Sequence, residues 1–199
     1  MRIETSTGPA EIDLEIPAQP AFLLVFTHGA GGGVDSQDIL TVRDTALAAG
    51  GAVALALQPY RVAGRRAPGS SGPQDATWLE IVAALRAKVG EDLPLIQGGR
   101  SNGARVACRT AAAAGARGVI ALSFPLHPPG KPERSRRVEL LAAADIDVVV
   151  INGGSDPFGI PDPDDAAEVR VVPGQHHSFR KGFDVIGETI TPWLDRWCG

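Results

Sequence analysis

The sequence predicts an α/β protein: a mostly parallel central sheet of about seven strands with helices on both faces. Two observations carry this. Short, continuous apolar runs recur along the 199 residues, each about as long as a strand buried on both sides. Segments with helical spacing of apolar residues lie between them, and that alternation is what parallel strands joined by crossover helices require.

The first strand shows alternation instead of a continuous run. Ile12, Leu14 and Ile16 alternate with Glu11, Asp13 and Glu15, which predicts a half-exposed edge strand. Residues 22–27, 52–57, 95–97, 119–124, 148–152 and 169–172 follow as candidate buried strands. The clearest helix has Pro73 near its first turn and Trp78, Ile81, Val82, Leu85 and Val89 on one face. An Ala-rich segment after Ser101 reads as a helix stopped at Gly115. The last helix starts near Phe183, with Ile186, Ile190, Trp193, Leu194 and Trp197 on one side and Pro192 inside it as a point of kinking or breakage. Two Gly/Pro/Ser-rich stretches, 64–74 and 125–132, follow strand ends, where the active-site loops of open α/β sheets belong. With no repeat and no long linker, one domain over 1–199 is expected.

Composition narrows the function classes. The net charge of −4 offers no electrostatic attraction to nucleic acid or an anionic membrane. Local basic groups, at Arg61, Arg65 and Arg66 and at Arg134, Arg136 and Arg137, read as solvated faces. No apolar run reaches the ~18 residues of a membrane span, and Met1–Thr5 does not open a secretory signal. Two cysteines, Cys108 and Cys198, make no disulfide framework. A cytoplasmic monomer or homodimer is expected.

The chemistry centres on Gly99-Arg100-Ser101-Asn102-Gly103, set between an apolar strand and the helix that opens near Asn102. A sharp strand-to-helix reversal forces the serine backbone into strain, and glycines two residues to either side let strand and helix close together. The hydroxyl then projects above the sheet at a helix N-terminus, where positive dipole favours an oxyanion. The alternative is a Gly/Ser helix cap without chemistry. A second signal is strand 22–27 running into His28-Gly29-Ala30-Gly31-Gly32-Gly33, where glycine lets the backbone itself approach a substrate. As a dinucleotide fingerprint this loop fails at Val34, and as a phosphate-binding loop it lacks the Gly-Lys-Ser/Thr ending.

A serine nucleophile needs a base and an acid that orients the base. Strand 148–152 leads into Gly153-Gly154-Ser155-Asp156, and strand 169–172 into Pro173-Gly174-Gln175-His176-His177-Ser178. Asp156 therefore stands at a strand end as the candidate acid. Asp162, Asp164 and Asp165 lie further away and read as a solvated turn. His176 and His177 remain alternatives on these grounds. A metal site from His176, His177 and Asp156 lacks ligand spacing on a regular element, and no metal or organic cofactor is expected.

These four blocks, over nearly the whole chain, resemble the α/β-hydrolase superfamily. More narrowly they resemble a small dienelactone-hydrolase-related group. It includes the testis-expressed protein 30 proteins and the hydrolase-like domain of a nonspecific-lethal chromatin complex subunit. The most specific likeness is Ser123-Phe124-Pro125-Leu126-His127-Pro128-Pro129-Gly130-Lys131-Pro132. The nucleophile block departs from the group's usual Gly-Arg-Ser-Met-Gly-Gly-Arg by Asn102 and Ala104. The resemblance puts the base on His177, through the group's Asp-His-Ser-Phe pattern. It makes the backbone N–H groups of Ala30 and Asn102 the oxyanion donors.

The expected function is hydrolysis of an ester or related acyl bond of a small acyl substrate by Ser101, Asp156 and His177. The alternative is a hydrolase fold serving as a non-catalytic interaction scaffold. Pocket candidates are His28, Tyr60, Arg100 and His127. His28 also reads as a structural hydrogen-bonding residue, and Arg100 as an ion pair beneath the glycine-rich loop. No insertion after the sixth strand is large enough for a helical lid, so an open site is expected.

Overall fold

The computed structural model describes residues 1–143 and 145–199. Its elements are β1 (Arg2–Thr5), β2 (Gly8–Glu15), β3 (Leu23–Thr27), α1 (Gln37–Ala48), β4 (Ala52–Leu57), α2 (Pro59–Val62) and α3 (Ser71–Val89). They continue through β5 (Leu95–Arg100), α4 (Asn102–Ala114), β6 (Gly118–Leu122), α5 (Arg137–Leu141), β7 (Asp147–Gly153), β8 (Glu168–Val172) and α6 (Phe183–Cys198).

All eight strands form one sheet in the order β1-β2-β4-β3-β5-β6-β7-β8. β1 and β2 pair antiparallel, as do β2 and β4, while the pairs from β4 through β8 are parallel. The expected seven strands thus become eight, and the alternating strand lies second from the edge. The added edge strand, β1, has four residues, of which only Ile3 is buried, too short a signal to stand out.

Strand alternation divides the core between the two faces of the sheet. Leu23 and Val25 of β3 pack with Trp78, Ile81 and Leu85 of α3 and Ala104, Ala107 and Ala111 of α4. Leu24 and Phe26 pack on the other side with Ile39 and Val42 of α1 and Ile186, Ile190 and Leu194 of α6. Of the expected kink or break at Pro192, the break does not occur: α6 runs continuously through it, with Ile190 and Leu194 buried on either side. Stretch 64–74 is loop only to residue 70; Ser71 to Gln74 already form the first turn of α3. Among the described residues between β6 and β7 the one helix is the five-residue α5, and no lid domain stands there.

The topology locates a crevice. From β3 the chain crosses to β4 on one side, whereas β5 lies on the other. At such a switch point the loops leaving two neighbouring strands diverge, which opens a cleft at their carboxyl ends. Thr27 pairs in register with Gly99, so the glycine-rich loop and the Ser101 turn emerge side by side.

Candidate active site

Ser101 links β5 to α4 with φ 53° and ψ −110°, a backbone conformation that L-residues rarely adopt. The surrounding glycines make it attainable. A Cβ on Gly99 would lie 2.5 Å from the carbonyl carbon of Gly103, and one on Gly103 would lie 2.8 Å from the carbonyl oxygens of Thr27 and His28. The Ser101 amide donates to Leu122 O at 2.8 Å, which ties the turn to β6.

Two loops deliver partners to the hydroxyl. His177 Nε2 lies 2.8 Å from Ser101 Oγ, and His177 Nδ1 lies 2.8 Å from Asp156 Oδ2. The Asp156 side chain is fully buried, and its Oδ1 accepts from the Phe158 amide at 2.9 Å. With Nδ1–H donating to that carboxylate, Nε2 is left to accept the serine proton. The Phe158 ring stacks on the His177 imidazole with centroids 4.1 Å apart. His176 is exposed and absent from this chain of contacts.

Gln175 anchors the histidine loop, a role that its sequence position does not signal. Its backbone oxygen accepts from the Ser155 amide, and its side-chain oxygen accepts from the amides of Arg180 and Lys181. Gly153 lets the loops meet, because a Cβ there would collide with the Gln175 carbonyl.

On the other side of Ser101, Ala30 and Asn102 line the cleft with it, and among the described residues neither amide donates to an acceptor in the chain. Gly29 lies against Ser101, a Cβ there falling 3.1 Å from Ser101 Cβ. Arg61 Nε donates to Gly32 O at 2.8 Å and so fixes the loop. The Asn102 side chain is held too: Gln74 Nε2 donates to Asn102 Oδ1 at 2.6 Å and to Gln58 Oε1 at 2.8 Å. Together these groups place the Ser101 hydroxyl, the His177 imidazole with the Asp156 carboxylate behind it, and the amides of Ala30 and Asn102 around one open cleft.

A profile of the alpha/beta hydrolase domain matches residues 20–183. The chain belongs to the alpha/beta hydrolase family. No curated protein matches it significantly. Solved structures with the same fold include a dienelactone hydrolase from Anabaena variabilis (TM-score 0.79, 17% identity, covering 99% of this chain and 96% of that one). An alpha-beta serine hydrolase homologue from Coxiella burnetii superposes at a TM-score of 0.78 with 13% identity, covering 98% and 96%. A lidless serine hydrolase from Xanthomonas campestris superposes at 0.73 with 16% identity, covering 99% and 93%.

The cleft of this alpha/beta hydrolase encloses about 490 Å³, within the size range of small-ligand sites. Of the four pocket candidates only Arg100 lines it. Arg100 also pairs with the buried Asp38 at 3.1 Å and donates to His177 O and Ser178 Oγ, so it braces both flanking loops. His28 is fully buried: its Nε2 accepts from the Gln58 amide and its Nδ1 donates to Gly29 O. Tyr60 tilts against that imidazole and lines a neighbouring cavity. The His127 imidazole donates to the Pro128 carbonyl and lies outside the cleft wall.

Of the basic groups, Arg65, Arg66, Arg134 and Arg137 are exposed as expected, while Arg61 and Arg136 are half-buried. Arg137 pairs with Asp165, which is buried instead of belonging to a solvated turn, and Arg136 reaches the cleft from the loop before α5. Arg105 and Arg109, on the nucleophile helix, both bond Glu139, and Arg109 also grips Asp75. Among the described residues no helix is long and apolar enough to cross a membrane.

Proposed function

We propose that this alpha/beta hydrolase is a serine hydrolase that cleaves an ester or related acyl bond of a small substrate. The observation that carries this reading is the continuous 2.8 Å chain from Ser101 Oγ through the His177 imidazole to Asp156, beside two uncommitted amides. Ser101 Oγ attacks the carbonyl carbon as its proton passes to His177 Nε2. The tetrahedral oxyanion is held by the N–H groups of Ala30 and Asn102. The C–O bond to the leaving group breaks, and the alcohol departs with the proton from Nε2. Water then attacks the acyl-enzyme by the same route, releasing a carboxylic acid and restoring Ser101. This sequence requires no cofactor.

Within the family, the 123–132 segment supports membership of the dienelactone-hydrolase-related group that includes testis-expressed protein 30. The open cleft supports small substrates over long-chain fats. The test is turnover of 4-nitrophenyl butyrate. Wild type hydrolyses it, and Ser101→Ala lowers kcat by about a thousandfold or more. Equal rates for the two proteins would overturn the proposal.

A further inference from the structure

Every permanently charged side chain that lines the Ser101 cleft is an arginine: Arg100, Arg105, Arg109 and Arg136. Three of them are committed. Arg100 is held by Asp38, Arg105 forks onto Glu139, and Arg109 bridges Asp75 and Glu139. Those three carboxylates leave one guanidinium over.

Arg136 is that guanidinium. It is half-buried, and among the described residues no carboxylate lies within 4 Å of it. Among the described residues its side chain has one acceptor, the Pro125 carbonyl, 3.3 Å from a terminal nitrogen. A guanidinium presents five N–H donors in a planar fork, so most of this fork is unspent. Glu139 is the nearest acid in sequence, but Arg105 and Arg109 already occupy both of its oxygens. Burial, and then the neighbouring Arg105 cation, press Arg136 below the usual arginine range against the pull of Glu139.

Resting on the hydrolase reading above, we propose that Arg136 is an anion-recognition residue and that the substrate is an ester bearing a free carboxylate. One surplus positive charge matches a monoanion, and the planar fork matches a carboxylate in two parallel hydrogen bonds.

The test compares mono-4-nitrophenyl glutarate with neutral 4-nitrophenyl butyrate. Wild type favours the anionic ester in kcat/KM by about tenfold or more, the scale of one charged hydrogen bond. In Arg136→Gln that ratio collapses to near one through KM, while Arg136→Lys, which keeps the charge without the fork, falls between. A wild-type ratio near one, or one unchanged in Arg136→Gln, overturns the proposal even if butyrate turnover still depends on Ser101. If neither ester is hydrolysed, calorimetric titration with glutarate and with inorganic phosphate decides. Glutarate binding that weakens tenfold in Arg136→Gln sustains the site, and absent or unaltered binding refutes it. Tighter binding of phosphate overturns the carboxylate assignment.

Discussion

His28 shows how one buried side chain sets the shape of the glycine-rich loop. Its Nδ1–H donates to Gly29 O at 2.8 Å and its Nε2 accepts from the Gln58 amide at 3.0 Å, an arrangement open only to the neutral ring. Burial, with the Arg61 cation adding to it, lowers its pKa from 6.5 to about 4 against the pull of the Gly29 carbonyl. An unfolded chain takes up a proton at His28 below pH 6.5, whereas the folded protein resists until about 4. The stabilisation is therefore complete above 6.5 and is lost as pH falls towards 4, by about 3 kcal/mol in all. Urea midpoints measured at pH 7 and pH 4.5 should fall further for wild type than for His28→Gln. Equal falls would show that this histidine does not carry the acid sensitivity. Arg100 acts on the same scale: its pair with Asp38 spans 62 positions in sequence, and its bonds to His177 O and Ser178 Oγ join the histidine loop to the nucleophile turn.

At the scale of elements, the turn between β5 and α4 concentrates strain on a single residue. Ser101 holds φ 53° because α4, β3 and β6 fix the chain on every side of it. A glycine there carries no Cβ, and relief of about 1–3 kcal/mol of strain outweighs its extra unfolded-state entropy of about 0.5–1 kcal/mol. Ser101→Gly should therefore melt at a higher temperature than Ser101→Ala, although both lack the hydroxyl. An equal or lower melting temperature would mean that the turn is unstrained. This element was legible in the sequence because close backbone approach demands glycine at fixed positions, and Gly99 and Gly103 stand where it occurs. The long helices α3, α4 and α6 were legible from the apolar face each one buries. The short α2 and α5 were not, since neither completes two turns and their packing comes from distant parts of the chain.

Over the whole molecule, the sheet order brings four separate segments to one crevice. Strand ends and their chain order made Asp156 legible as the candidate acid and narrowed the candidate base to two neighbouring histidines, because loops at the carboxyl edge of a parallel sheet point one way. The bracing groups were not legible. Asp38, Gln74, Gln175 and Glu139 look like ordinary polar residues until tertiary structure sets each beside its partner, as Gln74 meets Asn102 across 28 positions. Arg136 and Asp165 were read as solvent-facing for the same reason: local composition does not reveal a partner on another loop. What unites these residues is a serine hydroxyl held against the His177 imidazole. The most direct measurement is labelling of the folded protein with a fluorophosphonate probe, followed by mass-spectrometric mapping. One adduct is expected, on Ser101, lost in Ser101→Ala and in heat-unfolded wild type. An adduct on another residue would contradict it by moving the nucleophile elsewhere, and no adduct on the folded protein would contradict it in favour of an interaction scaffold.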